Sequence, residues 1–354
     1  MSIQRIWKNS EKGLRFLVEM RKCRSYEQPE AVSRNKKGVL WMKVVFMGTP
    51  DFSVGALEAI IAAGHQVTAV VTQPDKPKGR GKEIQVTPVK ACALSHGIPV
   101  FQPVRVKEPE AVEVLRGYEA DIFVVAAFGQ ILSEEILSMP FYGCVNIHAS
   151  LLPKYRGAGP IQWAIINGEK TTGVTIMQMD KGIDTGDMLL KREVEIDSGE
   201  TGDSLHDKLA AAGAKLIVEA LEKLERGELT PMKQPEDGAS YAKMLKKSMG
   251  KIVWGQSAQR LDCLIRGLLS WPGAYTIFRG KTLKIWEEED VGELQADLAD
   301  AEPGTVVCVE KEAFYVKTGE GVLKILAVQP EGKRRMQVKE FLLGYPVEVG
   351  EKLG

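Results

Sequence analysis

The sequence has few cysteines, no long hydrophobic run, no excess of charge and no dinucleotide-type glycine turn, and each absence excludes something. Its five cysteines, Cys23, Cys92, Cys144, Cys263 and Cys308, are scattered, with no C-x-x-C pair and no histidine at metal-ligand spacing. That excludes a zinc-finger framework and fits a reducing compartment. No apolar stretch is long enough to cross a bilayer, so a soluble, cytoplasmic chain is expected. Lys and Arg number 47, as do Asp and Glu. A zero sum leaves nucleic acid open as a partner, because segregated basic patches create the relevant field whatever the total. The first turn, Gly48-Thr49-Pro50-Asp51-Phe52, lacks the second and third glycines that a dinucleotide pyrophosphate requires. An NAD reading is discounted on that ground, although Asp75 follows the second strand, where a ribose-binding acid would stand.

What is present is a change of grammar along 354 residues, a length that predicts about two domains. Residues 1–41 carry no run resembling a signal peptide, and Glu11, Glu19, Glu27 and Glu30 speak against a transit peptide. They read as an extension ahead of the true start, since Met42 opens the first clear strand. From there apolar runs at 43–47, 67–72, 121–128, 144–148 and 174–179 alternate with helical segments such as 54–63 and 203–226. Strand, helix, strand repeated this way predicts an α/β domain over 42–226. Its sheet should be Rossmann-like, mostly parallel and covered on both faces, with ligands beyond the carboxyl ends of the strands. Pro231, Pro235 and Gly238 mark 227–240 as a linker. In 241–354, short strands at 274–278, 282–286, 305–309 and 314–317 alternate with glycine turns and predict a small antiparallel barrel.

The chemistry concentrates in the central third. Residues 145–153 read V-N-I-H-A-S-L-L-P, and Gly182-Ile183-Asp184-Thr185-Gly186 follows. Asn146 and His148 are two apart in an apolar run, so on a strand both face one pocket. Asp184 can approach them from a loop whose glycines permit close backbone contact. An amide, an imidazole and a carboxylate suffice to move an acyl group onto an amine. Each alone has a plainer reading: a satisfied structural histidine, a buried amide, a turn-capping aspartate. With Y-R-G-A-G-P at 155–160 and G-V-T-I-M-Q-M-D-x-G-I-D-T-G-D at 173–187, the order of motifs resembles the folate-dependent formyltransferases, most closely those acting on methionyl-tRNA. The resemblance runs from about residue 42 to the C-terminus and loosens after about residue 240.

The resemblance implies transfer of a formyl group from 10-formyltetrahydrofolate, a co-substrate, to the α-amino group of methionyl initiator tRNA. The product would be N-formylmethionyl-tRNA for translation initiation, made without a metal. Asn146, His148 and Asp184 would be catalytic. Ser150, Leu151, Leu152 and Pro153 would contact folate, and Phe128, Gly129, Gln130, Ile131 and Leu132 would wall the pterin pocket. The plainer reading of S-L-L-P is a turn with two leucines in the core. The segment 73–90, with Lys76, Lys78, Arg80 and Lys82, would grip the tRNA acceptor end, where composition alone reads a solvated loop. The C-terminal domain would be OB-like and bind tRNA through cations such as Lys246, Lys247 and Lys251. Acidic runs such as 287–290 keep a generic surface open there. A monomer is expected. Ala149 stands where many relatives have glycine. Glycinamide ribonucleotide and nucleotide-sugar formyltransferases share N-x-H and the later aspartate, so the motifs define the chemistry better than the acceptor. A third reading, an RNA-binding protein on a degenerate core, is opposed by the intact Asn146, His148 and Asp184.

Overall fold

The computed structural model describes residues 41–78, 83–292 and 300–354; the first 40 residues of the expected extension, and Arg80 and Lys82, lie outside them. Two compact units divide the chain without following its order. Of the described residues, the first holds those up to Arg156 together with Gly173–Val194 and Asp207–Tyr241; the second holds Gly157–Thr172, Glu195–His206 and those from Ala242 to Gly354. Residues 227–240, expected as a linker, fall within the first unit, where Gln234 is 9% exposed.

The first unit is built on seven strands, β1 (Lys43–Gly48), β2 (Gln66–Val71), β3 (Val100–Phe101), β4 (Ile122–Ala126), β5 (Cys144–His148), β6 (Thr171–Gln178) and β7 (Met188–Glu195). They lie in the order β7-β6-β5-β4-β1-β2-β3. Strand β1 is parallel to β2 and β4, β2 to β3, and β4 to β5. It sits in the middle because Val44, Val45, Phe46 and Met47 are apolar toward both faces, and all four are fully buried. Strand β6 runs antiparallel to β5, with Asn146 opposite Met177 and His148 opposite Thr175. The strand order reverses between β1 and β4, the kind of switch point at which ligands settle beyond the carboxyl ends. The loops after β1, β4 and β5 start there.

One face of this sheet carries Val45, Met47, Val71, Phe123, Val125 and Cys144 in a single apolar cluster. On the other face, helix Gly202–Glu225 approaches β5 and β6 at Gly213, beside Ile147 and Val174. Its Gly213 sits so close to Ile147 that an added Cβ would stand 2.9 Å from the isoleucine methyl, so the glycine sets how near the helix approaches β5.

In the second unit, strands β8 (Ala274–Phe278), β9 (Lys281–Asp290), β10 (Val306–Val309), β11 (Phe314–Lys317) and β12 (Val322–Pro330) pair antiparallel in the order β8-β9-β12-β11-β10, with Met336–Gln337 added to β12. Every second residue of β8 is buried, the period of a half-covered strand. Leu261 and Ile265 of helix Ala258–Gly267 close the core with Phe278, Ile285, Phe314 and Phe341. This is the antiparallel second domain that the short strands predict.

Glu288 of β9 stands beside Asp262 and Arg266 of that helix. Burial, and next the negative charge of Asp262, push its carboxyl up to about 8 from 4.5, with Arg266 pulling the other way. A carboxyl raised in this way keeps, in the folded state, a proton that the unfolded chain has released. The stability it contributes is full below the ordinary carboxylate range and is lost as pH rises through about 8. We therefore expect Tm to decline across that window. Glu288→Gln should flatten the decline and raise Tm at its upper end, by ~2–4 °C per kcal/mol gained. Thermal melts of both proteins across roughly pH 5–9 check this; parallel curves would show that Glu288 is ionised throughout.

Candidate active site

Strand β5 assembles the site by alternation. Cys144, Asn146 and His148 project to one face, where Cys144 joins the apolar cluster. Asn146 is half-buried and His148 is 5% exposed. His148 Nε2 lies 2.9 Å from the carbonyl oxygen of Tyr155. A carbonyl only accepts, so Nε2 carries a proton and Nδ1 faces the opposite side of the ring. There Nδ1 stands 3.6 Å from Asp184 Oδ2, while Asn146 Nδ2 donates to Asp184 Oδ1 at 3.3 Å. One carboxylate thus meets the amide with one oxygen and the imidazole with the other. The 3.6 Å gap is an ion-pair distance, too long for a hydrogen bond. It stabilises the ring once Nδ1 has taken up a proton.

Two residues with left-handed backbones complete the arrangement, Tyr155 at φ +61° and Asp184 at φ +53°. Such strain, about 1–3 kcal/mol per residue, persists only where the surroundings enforce it. Tyr155 N donates to Ser240 Oγ at 2.9 Å. In the Asp184 loop, the Asp180 carboxylate accepts from Gly182 N at 3.0 Å and from Thr185 Oγ1 at 2.8 Å. Gly186 cannot be replaced there, because a Cβ would lie 1.8 Å from the carbonyl oxygen of Gln178. Gln234 Nε2 then donates to the carbonyls of Asp184, at 2.7 Å, and Gly186, at 2.8 Å. Its Oε1 accepts from Arg156 Nε at 2.9 Å. Arg156 is 1% exposed, and its Nη2 reaches only to 3.5 Å from Glu236. Sequence reasoning missed both. Arg156 sits inside Y-R-G-A-G-P with no assigned role, and Gln234 sits in a proline-flanked stretch read as linker.

The folate candidates divide by burial. Ser150 is fully buried, donating its hydroxyl to Lys154 O at 2.6 Å and accepting Thr175 Oγ1 on its carbonyl at 2.7 Å. Leu152 packs with Met177 and Met188, leaving Leu151 and Pro153 partly exposed. Phe128 and Leu132 are buried in the sheet's apolar cluster. Between them Gly129 turns at φ +82°, Gln130 holds Val106 N at 2.7 Å and Pro103 O at 3.1 Å, and Ile131 is 79% exposed. The Phe128 carbonyl accepts from Thr49 Oγ1 and Gln73 Nε2, both at 3.1 Å. This segment is therefore a pinned turn that displays backbone and one apolar side chain.

Of the cationic loop, Lys76–Lys78 pairs antiparallel with Glu83–Gln85, and Lys76 is exposed. Asp75 is held by Lys90 and by Gln102, whose Nε2 donates at 2.9 Å, and the Lys90 bond in particular keeps its carboxyl below the usual range. The acid that a dinucleotide ribose would need is thus already engaged. In the second unit Lys246, Lys247 and Lys251 are all exposed around the 3-10 turn Lys247–Gly250.

Family models described as formyl transferase and as formyl transferase C-terminal domain match residues 42–221 and 244–346. The methionyl-tRNA formyltransferase of Agathobacter rectalis is 55% identical over 87% of this chain and 98% of its own. That of Lachnospira eligens is 53% identical over 88% of this chain and 100% of its own. Among solved structures, WlaRD, a sugar 3N-formyl transferase crystallised in the presence of dTDP and 5-N-formyl-THF, superposes with a TM-score of 0.61 at 20% identity, covering 83% of this chain and 99% of that one. HypX from Aquifex aeolicus in complex with tetrahydrofolic acid gives 0.59 at 19% identity, over 88% of this chain and 48% of that one. These two likenesses show the fold, and the curated relatives show the membership: the chain belongs to the formyl transferase family, among the methionyl-tRNA formyltransferases.

Proposed function

We propose that the chain transfers the formyl group of 10-formyltetrahydrofolate to the α-amino group of methionyl initiator tRNA, as a monomer in the cytoplasm. The observation that carries the catalytic assignment is the Asp184 carboxylate, which reaches Asn146 at 3.3 Å and His148 at 3.6 Å. The amine of an aminoacyl ester is less basic than that of lysine, so much of it is neutral and nucleophilic near neutral pH. Strong base catalysis is unnecessary. The amine attacks the formyl carbon and gives a tetrahedral intermediate with an oxyanion and an ammonium. A proton must then pass from the attacking nitrogen to N10 before the C–N10 bond breaks and tetrahydrofolate leaves.

Asn146 has two amide N–H groups; one meets Asp184, and the other donates to the oxyanion, worth ~3 kcal/mol. His148 Nδ1 takes up and returns the proton, because Nε2 is committed to Tyr155 O. Asp184 steadies the imidazolium and fixes the amide. Leu151, Pro153, Ile131 and the backbone of 128–132 offer apolar faces and polar edges to a pterin, with Ser150, Leu152, Phe128 and Leu132 bracing them from the core. The test is incubation with 10-formyltetrahydrofolate and methionyl initiator tRNA, then ester hydrolysis and mass analysis. N-formylmethionine and tetrahydrofolate are expected in equal amounts; tetrahydrofolate without a formylated amine would contradict the proposal.

For tRNA we assign Lys76, Lys78, Arg80 and Lys82 in the first unit and Lys246, Lys247 and Lys251 in the second. Replacing the last three by alanine should flatten the dependence of tRNA affinity on salt by ~0.7–0.9 log units per log unit of salt for each phosphate no longer neutralised. Folate affinity should be unchanged. Titrations across a salt series check this, and equal slopes would return the lysines to a solvated face.

A further inference from the structure

Glu58 of helix Val54–Ala62, Cys92 of helix Pro88–Ser95 and His96 at the end of the latter converge on one spot. Glu58 Oε1 accepts from the Cys92 thiol at 3.2 Å, and Glu58 Oε2 lies 2.9 Å from His96 Nε2. The three candidate ligand atoms are all within 4.8 Å of one another. Cys92 and His96 are four apart, which on a helix puts both side chains on one face. From this juxtaposition we propose that Glu58, Cys92 and His96 bind a zinc ion that clips the two helices together. The site shares no residue with the Asn146, His148 and Asp184 cluster.

The donor set suits the ion. Zinc takes sulfur at ~2.3 Å, imidazole nitrogen at ~2.0–2.1 Å and carboxylate oxygen at ~2.0–2.2 Å in a tetrahedron, so its ligand atoms sit ~3.3–3.8 Å apart. The present separations of 2.9 and 3.2 Å are close enough that small side-chain adjustments admit the metal. A thiolate and a carboxylate balance its two positive charges, and the imidazole binds neutral. Without metal the thiol is a poor anion, pushed up to about 12 by burial and by the Glu58 carboxylate. Binding displaces the thiol proton to solvent; the proton that His96 Nε2 donates to Glu58 in the metal-free site is given up to solvent as well, and the ring that binds is the neutral tautomer protonated on Nδ1, with its Nε2 lone pair on the ion. Cys92 is 7% exposed, whereas the Glu58 and His96 side chains are 49% and 35% exposed. The thiolate therefore lies inside and the fourth position opens to water.

The test uses the full chain without an affinity tag, stripped by chelator and dialysed against buffered zinc. One zinc per chain is expected. Cobalt in its place should give a thiolate-to-cobalt absorption band in the near ultraviolet. Cys92→Ser and His96→Ala should each weaken zinc binding by about 100-fold or more, beyond the loss of a mere outer-shell partner. Both should abolish the zinc-dependent rise in Tm, while Cys308→Ser keeps it. Because the His96 side chain is well exposed, His96→Ala reports on binding even if Cys92→Ser folds poorly. The proposal is overturned if the intact chain takes up no stoichiometric zinc. It is equally overturned if a folded His96→Ala protein binds zinc and cobalt as the intact chain does. Formyl transfer should persist in both variants, so this result stands apart from the catalytic reading.

Discussion

Alanine at position 146, 148 or 184 is expected to lower kcat for formyl transfer by ~10²–10³-fold, with KM for folate and tRNA changed by less than about threefold. The reason is where charge develops. In the proposed reaction the Asn146 amide meets a neutral formyl oxygen before attack and His148 Nδ1 meets no ammonium, so their interactions would be weak in the ground state. They strengthen only in the tetrahedral intermediate. Asp184→Asn is the more discriminating variant, because an amide keeps the shape and can still accept from Asn146 Nδ2, now at 3.3 Å from Oδ1. It removes the charge that faces His148 Nδ1 across 3.6 Å. The loss should therefore persist in Asp184→Asn. Steady-state kinetics with both substrates varied measure this, and a loss confined to KM would make the three residues binding or structural groups.

Gln234→Ala should damage both fold and rate. It deletes two hydrogen bonds that hold the carbonyls of Asp184 and Gly186, and it strips the Nε partner from an arginine that is 1% exposed. Leaving a buried guanidinium without its partner, together with the other two broken bonds, corresponds to ~2–4 kcal/mol. That is a fall in Tm of roughly 5–15 °C at ~2–4 °C per kcal/mol. The catalytic effect follows from the loop. Asp184 keeps its left-handed backbone only while its surroundings enforce it, and a displacement of ~1 Å in a catalytic group can lower the rate ~10²-fold. Gln234→Glu separates the two roles, since it keeps an acceptor for Arg156 but turns an oxygen toward two carbonyls. It should recover much of the Tm and little of the kcat. Full recovery of kcat in Gln234→Glu would show that the Asp184 loop does not need the donor.

Legibility in the sequence tracked the kind of signal involved. Strand β5 was readable to the residue, because Asn146 and His148 interrupt an apolar run at the period of a strand. Asp184 was readable from its glycines. The direction of β6 was not, since a strand buried on both faces carries the same apolar signature whichever way it runs. Arg156 and Gln234 were invisible for another reason: they meet each other across 78 residues of sequence, and Gln234 otherwise holds backbone carbonyls, which leave no mark in side-chain spacing. The proximity of Cys92, His96 and Glu58 was not legible either. The four-residue interval between Cys92 and His96 becomes a shared face only once the helix is formed, and Glu58 arrives from a different helix. The plainer reading of S-L-L-P, a turn with two leucines in the core, describes Ser150 and Leu152 but not Leu151, which is partly exposed.

Acceptor choice and the role of His148 meet in one competition experiment at a fixed concentration of labelled 10-formyltetrahydrofolate. Methionyl initiator tRNA, methionyl elongator tRNA, glycinamide ribonucleotide and an amino-sugar nucleotide would be offered to the intact chain and to His148→Ala. Label should enter methionyl initiator tRNA with a kcat/KM at least about 100-fold above that for any other acceptor, a gap of ~2.7 kcal/mol, and His148→Ala should lower this value through kcat. Preferential formylation of glycinamide ribonucleotide or the amino sugar, or a rate that His148→Ala leaves intact, would contradict it.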